Sequence, residues 1–424
     1  MRQIIRRMCV VTLLAGGCAS SAKAQKALTW DEVRARFEAN NPTLLADKVT
    51  IDESKAQQIT AYLRPNPQLT LAVDGTQVAP YKGVWEPVKG TYETPTISYL
   101  HERQHKRELR LESAEKGTLI AESSHADLER TLLFDLRGAF VATLQAKAVL
   151  QLAKDNLVYY DHLLDISRTR YSVGDIAQID LDRLELQRVQ YESDVQTAEV
   201  NLRTAKIQLR TLLNDRTPIE QFDITGLFEF NDQLMPQDEF RKIALDTRPD
   251  LKAAVEAVDK AETDHKLAVA NGSTDPILSA WYTHNSSNNN PFGINALGVS
   301  VSIPLRIFDR NQGERLRTQL DINRNEKLRS AAEALVFSDV DSAYAVVNSN
   351  VILLQPYKTK YLQQAVRVRD TVAFSYQHGG ASLVDFLNAQ SEYRTVELSY
   401  LNLIGSYLTA AAQLNLAVGR EVLQ

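Results

Sequence analysis

The chain has 424 residues, a length that ordinarily suggests two or three globular domains. Its 17 glycines and 13 prolines make up about 7% of it, against roughly 12% in an average protein, so long uninterrupted elements are expected. A charged fraction of 24% and a mean hydropathy of −0.28 exclude a polytopic helical membrane protein, and a net charge of −5 without a large basic block gives no support to a nucleic-acid partner.

From the N-terminus, Arg2, Arg6 and Arg7 precede a short apolar core, Met8–Leu14, and then small residues. This is the pattern of a secretory signal, too short to anchor the chain. Two processing sites are readable. Ala22-Lys23-Ala24 would end a signal peptide at residues 1–24. Alternatively, Leu14-Ala-Gly-Gly-Cys18 would be cut after residue 17, leaving Cys18 as a lipidated first residue. Cys9 and Cys18 are the only cysteines, so the mature chain has no disulfide and must be stabilised by packing.

Thr29-Trp-Asp-Glu32 has the spacing of a helix capping box. Prolines then cluster at 65–95 and again at 276–304, whereas none falls between Pro95 and Pro218, and only Pro356 falls after Pro304. Because proline interrupts helix interiors, the clusters mark something other than long helix. They read as two β-hairpins. The first pairs Gln68–Thr76, with Leu69, Leu71 and Val73, against Tyr92–Leu100 through a loop holding Trp85. The second pairs Ile277–Thr283 against a strand in which Leu297, Val299, Val301 and Ile303 alternate with Gly298, Ser300 and Ser302. Strands of about nine residues suit a tilted membrane crossing, but on pattern alone an ordinary ribbon on a globular domain fits equally. Trp85, Tyr99, Trp281 and Tyr282 are candidates for interfacial belts.

The proline-poor stretches carry helical stripes. Helix from about Glu102 to Arg170 would be roughly 100 Å long. From Leu181 to Leu212 a heptad a/d series is apolar or aromatic except at Arg188, and a second series runs from Phe386 to Ala417. These landmarks are duplicated. Asn41-Pro42 matches Arg248-Pro249, Glu102-Arg103 matches Asp309-Arg310, and Tyr171-Ser-Val-Gly174 with Asp180 matches Tyr376-Gln-His-Gly379 with Asp385, at offsets of about 205 to 207. The chain therefore divides into a first repeat at 27–214 (hairpin about 68–100), a linker at 215–238 and a second repeat at 239–420 (hairpin about 277–305). Each repeat runs helix, hairpin, long helix, glycine turn, coiled-coil helix.

Four strands cannot close a barrel, and an open sheet in lipid would leave edge N–H and C=O groups unpaired at several kcal/mol each. If the hairpins enter a bilayer, identical copies must complete the wall, with two, three or four copies all permitted.

The duplicated plan, the Tyr-x-x-Gly turns followed by Asp, and Ile303-Pro-Leu-Arg-Ile-Phe-Asp-Arg-Asn-Gln-Gly313 together resemble TolC-type outer-membrane efflux ducts. The Phe-Asp-Arg-Asn-Gln-Gly stretch is most similar to subunits of cobalt–zinc–cadmium efflux systems, although His105-Lys106-Arg107 stands where many relatives have Gly-Lys-Arg. The resemblance covers about 27–420. It implies a mainly α fold carrying a membrane β-barrel, in which a homotrimer joins its hairpins into a 12-stranded barrel over a long α-helical barrel. It also implies an outer-membrane, non-enzymatic duct without a cofactor, contacting outer-membrane lipid, a periplasmic adaptor and an inner-membrane proton-driven pump of the RND class. Drug efflux or polypeptide secretion through the same fold is the alternative, with a soluble coiled-coil scaffold behind it.

By the same resemblance Tyr171, Gly174, Tyr376 and Gly379 lie at periplasmic tip turns where the adaptor docks. Asp180 and Asp385 lie just inside as a cation-attracting ring, with Arg168 and Arg170 placed to pair with them and hold the tip closed. The competing reading is that both aspartates cap the helices they begin. His101 and His105 stand at i,i+4 on the expected helix without a carboxylate or thiol cluster, so they read as solvated, as does His378. No metal site is expected, and no P-loop, G-x-S-x-G, H-E-x-x-H or dinucleotide fingerprint occurs.

Overall fold

The computed structural model of the protein describes residues 27–285 and 294–423. The export signal at 1–24, Cys18 with its alternative cleavage, and the tip of the second hairpin at 286–293 lie outside those residues.

Helix α1 (Trp30–Asn40) opens on the expected capping box. The Glu32 N–H donates to the Thr29 hydroxyl, and the Thr29 N–H donates to the Glu32 carboxylate at 2.9 Å. The single helix expected before the hairpin is two. Asn41 is held extended (φ −69°, ψ 118°) by the following proline and ends α1. Its side chain then accepts from the Leu44 N–H at 3.0 Å and caps α2 (Pro42–Tyr62), which starts on proline, where no N–H is needed. The second repeat copies this break, with α5 (Gln237–Thr247) followed by α6 (Pro249–Asn271), so that α1 and α5 begin 207 positions apart.

The strands β1 (Gln68–Asp74), β2 (Tyr92–Leu100), β3 (Ile277–Asn285) and β4 (Asn295–Ser302) are seven to nine residues long. The two expected hairpins do not stay separate. β2 pairs antiparallel with β3, giving one four-stranded sheet in the order β1-β2-β3-β4 with β1 and β4 at its edges. Directly paired residues share a face, so the register sorts the sheet into two surfaces. Leu69, Ile97, Ala280 and Val299 form one row of an apolar face, with Leu71, Pro95, Tyr282 and Leu297 above it. The other face carries Thr70, Thr96, Ser98, Ser279, Ser300 and Gly298. Among the described residues nothing covers the apolar face, with Leu71 74%, Leu297 80% and Val299 77% exposed. That removes the reading of an ordinary ribbon on a globular core. Register also corrects the aromatic belt. Tyr99 and Tyr282 lie on the apolar face, but Trp281 pairs with Thr96 and Gly298 on the polar face. Its indole lies over Gly298, in space that any Cβ there would enter.

The long helix α3 (Lys106–Ser172) has 67 residues and is about 100 Å long, but it starts at Lys106 rather than Glu102. Gln104 (φ +60°) and His105 (φ +54°) turn the chain between strand and helix. His101 therefore directly follows β2, its N–H donating to the Pro276 carbonyl at 2.9 Å, and the expected i,i+4 histidine pair on a helix does not exist. At this joint the buried Lys106 ammonium donates to Asp275 (2.6 Å) and to the Ser273 carbonyl (3.1 Å), tying the two repeats together beneath the sheet.

Helix α4 (Gln178–Leu212) returns along α3. Seven of its ten heptad positions are buried, and Arg188, Leu202 and Leu212 are half-buried. In the second repeat, α7 (Gln312–Pro356) is separated from α8 (Leu362–Gln377) by a π turn at Tyr357–Tyr361, and α9 (Leu383–Val418) returns. Pro356 lacks the N–H that would continue the α ladder, and the wider turn absorbs the fault. The first repeat has no proline there and α3 runs through unbroken.

The core is distributed along the helices. At mid-height one cluster gathers Val33, Phe37, Leu136, Phe140, Leu209, Phe222 and Ile224, and another gathers Phe240, Val340, Val347, Tyr407 and Leu414. The stretch at 215–238 is part of this packing. Leu28 pairs with Ile224, and Phe222 and Ile224 are fully enclosed. A third cluster lies where α3, α4, α8 and α9 reach their turns.

The Gly298–Trp281 contact is testable. In a chain whose other tryptophans, Trp30 and Trp85, are replaced by Phe, Gly298→Val should displace the indole and shift Trp281 emission, whereas an unchanged spectrum would show that the ring does not rest there.

Candidate functional site

The two helical turns are built alike. After α3, the Gly174 N–H donates to the Tyr171 carbonyl (2.9 Å) and the Asp175 N–H to that of Arg170 (2.9 Å). After α8, the Gly379 N–H donates to Tyr376 (3.2 Å) and the Gly380 N–H to Ser375 (2.8 Å). Gly174 and Gly379 adopt φ +79° and +77°, a left-handed conformation that glycine reaches without a Cβ penalty and that lets a helix reverse at once. Each turn lies at the end of its helical hairpin opposite the sheet, and the shared cluster of Tyr160, Leu164, Leu184, Ala373, Tyr376, Leu383 and Phe386 brings the two turns side by side.

The matching tyrosines have different surroundings. Tyr171 is exposed, whereas the Tyr376 ring is buried and stacked on Phe386 at 5.0 Å between centroids and 17° between planes. Burial pushes the Tyr376 phenol up from its ordinary value, and the nearby Arg170 cation opposes that only partly.

The arginines do not pair with the expected carboxylates. Among the described residues Arg168 bonds Glu185 (3.0 Å) and Asp165 (3.2 Å), both on the outside of its own hairpin. Arg170 bonds Asp175 within its turn (2.6 Å) and reaches across to donate to the Tyr376 carbonyl (3.0 Å), with its guanidinium 5.4 Å from the Tyr376 ring centre. Arg170 is thus a polar tie between the two turns. The expected pairing fails for a geometric reason. Asp180 and Asp385 sit in the first turns of α4 and α9, while Arg170 is spent on the loop just before α4.

The aspartates themselves diverge. Asp385 is an exposed helix cap. The Asp385 N–H donates to the Ser382 hydroxyl at 3.1 Å, and the Ser382 hydroxyl and N–H donate to its carboxylate at 2.7 and 3.2 Å. These bonds hold the carboxyl below its ordinary value. α4 begins at Ala177 without a side-chain cap. Asp180 is half-buried; its N–H donates to the Ala177 carbonyl (3.1 Å), but its carboxylate has no hydrogen-bond or ion-pair partner among the described residues. Of the two, Asp180 is the carboxylate left available. His378 donates nothing to a site, since its ring packs on Phe374 at 4.1 Å with Nδ1 2.8 Å from the Phe374 carbonyl oxygen.

Sequence reasoning missed the ties between the hairpins. Arg394 on α9 bonds Asp194 on α4 at 2.8 Å, and Arg369 on α8 lies between the Tyr159 and Tyr393 rings at 4.7 and 4.2 Å. Neither arginine falls on an apolar heptad position, and their partners lie on other helices, so no local signal marked these ties.

The tie at the turns makes a direct expectation. Arg170→Ala removes a charge-assisted bond to a backbone carbonyl and should speed amide exchange at Gly379 and Gly380 by roughly tenfold. Arg168→Ala should leave those amides unchanged. Equal protection in both variants would remove Arg170 as the link.

With this geometry in view, similarity to known proteins is informative. The model of the family described as outer membrane efflux protein matches residues 34–215 and 241–420. The chain is 20% identical over 395 residues to the cobalt-zinc-cadmium resistance protein CzcC of Cupriavidus metallidurans, covering 93% of this chain and 90% of that one. It is 23% identical to the outer membrane protein TolC of Escherichia coli, over 72% of this chain and 64% of TolC. Among solved structures, CusC superposes with a TM-score of 0.74 at 19% identity, covering 92% of each chain. The outer membrane protein VceC of Vibrio cholerae superposes with 0.73 at 14% identity, covering 93% of this chain and 96% of VceC.

Proposed function

Since the chain belongs to the outer membrane efflux protein family, and is an outer-membrane efflux channel rather than an enzyme, we propose that three copies form the duct of a tripartite heavy-metal cation efflux system. The observation that carries the trimer is the four-stranded sheet, whose apolar face is bare and whose two edges are unpaired among the described residues. Three such sheets, joined β4 to β1, make a closed wall of 12 strands that pairs every edge, directs Leu71, Leu297 and Val299 to lipid and directs Thr70, Ser279 and Ser300 to water. The same closure sets the long helices of three copies side by side as a tube leading into the periplasm.

The periplasmic end of that tube is formed by the two turns. Tyr171, Gly174 and Gly379 meet a periplasmic adaptor, while Tyr376 acts from within by holding the second turn against the first. Asp180, repeated three times, lines the constriction and favours cations, and Arg170 holds the turns together until the adaptor and an inner-membrane RND pump engage. Residues 1–24 direct export, with processing before Cys18 as the alternative route. Metal cations are favoured as cargo because CzcC, a cobalt-zinc-cadmium resistance protein by name, aligns over nearly the whole chain.

Deletion of the gene should sensitise the cell to zinc, cobalt or cadmium and leave drug susceptibility unchanged. Sensitivity to drugs alone would assign the duct to drug efflux. In planar bilayers Asp180→Asn should lower the preference for cations over anions, whereas Asp385→Asn should alter it less. Identical selectivity in wild type and Asp180→Asn would remove Asp180 from the constriction.

A further inference from the structure

The apolar face of the sheet changes character at its lower end. Ile97 and Tyr99 of β2 share that face, and His101, one residue beyond the strand, continues the ladder through its bond to Pro276. The surface thus passes from aliphatic to aromatic to imidazole over about 13 Å. Beside Tyr99 and His101 opens a cleft of about 310 Å³, lined also by Arg64, Gln104, His105 and Arg107.

The charges around this cleft are unevenly satisfied. Glu102 is taken by the Arg110 guanidinium through two bonds (2.5 and 2.9 Å), and Glu108 by Arg107 (2.8 Å), which also lies 4.3 Å over the Tyr62 ring. Lys106 is neutralised by Asp275 (2.6 Å), and His105 stands 4.0 Å from the Glu108 carboxylate. Both carboxylates of the cleft are therefore already paired with a cation. The side chains of Arg64 and His101 have no hydrogen-bond or ion-pair partner among the described residues, His101 being tied only through its backbone N–H. An arginine and an imidazole left over, at the rim of an apolar wall, form a site for an anion that arrives attached to something apolar.

We propose that this cleft binds the phosphate headgroup of an anionic glycerophospholipid in the periplasm-facing leaflet of the outer membrane. Arg64 and His101 meet the phosphate, Tyr99 packs against the glycerol and the first methylenes, and the acyl chains run up the Ile97 and Leu69 rows. Charge complementarity supplies the headgroup preference. Continuity with the apolar face selects a lipid over a soluble anion, because the cleft opens onto that face. The inference rests on the sheet lying in the membrane and adds a specific lipid contact at its lower boundary.

The test uses the full mature assembly, delipidated in neutral detergent and titrated with phosphatidylglycerol or phosphatidylcholine of matched chains, with bound lipid read by native mass spectrometry. Wild type should retain phosphatidylglycerol about fivefold better, and Arg64→Gln with His101→Gln should lose most of that preference. The assembly mass in the same spectra should not change, since neither side chain holds a described contact. Excess inorganic phosphate should not displace the lipid. Equal retention of the two lipids, an unaltered preference in the double variant, or displacement by phosphate would each overturn the proposal. Failure of the membrane reading would look different: the protein would stay dispersed without detergent and retain neither lipid.

Discussion

A sheet whose outer face is apolar and whose two edges lack partners cannot be stable in lipid by itself. Each unpaired edge N–H or C=O costs several kcal/mol in hydrocarbon, where no water replaces the missing bond. In water the same sheet would expose Leu69, Leu71, Leu297, Val299 and Val301 as one continuous patch, larger than soluble monomers commonly tolerate. Copies joined edge to edge satisfy both requirements together. The helices follow from this, because each sheet is continuous with α3 and α7, and the Lys106–Asp275 pair fixes where the two leave it.

The remainder of the chain keeps two long hairpins in step over a great length. Mid-height packing does this through the short helices α1 and α5 and the segment at 215–238, which draws Leu28 and Ile224 together. Nearer the turns, a third apolar cluster is joined by side-chain ties, with Arg394 to Asp194, Arg369 between two tyrosines, and finally Arg170 across the turns. The repeats are alike in backbone and unlike in surface. Position 170 is arginine and its repeat mate 375 is serine, while Tyr171 is exposed and Tyr376 is buried. Duplication supplied the architecture, and divergence at the turns gave the two halves different surfaces. The π turn after Pro356 belongs to the same pattern, since it breaks only the second repeat's long helix.

Much of the fold was legible because it depends on periodicity. The heptad series from Leu181 and from Phe386 marks buried faces of α4 and α9, and the alternation from Leu297 marks the apolar face of β4. The glycine turns were legible because left-handed φ at 174 and 379 has a residue-type signature. What failed depended on pairing between distant segments. Nothing in either hairpin announces that β2 and β3 will pair, or that Trp281 belongs to the polar face, because its neighbours Ala280 and Tyr282 give no clean alternation. The strand-to-helix joint was misplaced because Gln104 and His105 adopt positive φ without being glycine. The site residues were found by repeat position, but their partners were not. Asp385 proved to be a cap, Asp180 did not, and Arg170 joins a carbonyl 206 residues away.

The central claim is that one chain supplies a third of a closed wall. Its most direct test is the mass of the purified mature protein in detergent, with the detergent contribution removed by light scattering or native mass spectrometry. A particle of three chains that falls apart when proline replaces a residue in the middle of edge strand β1, such as Leu71, is the expected result. A single-chain particle that remains in solution without detergent would contradict it.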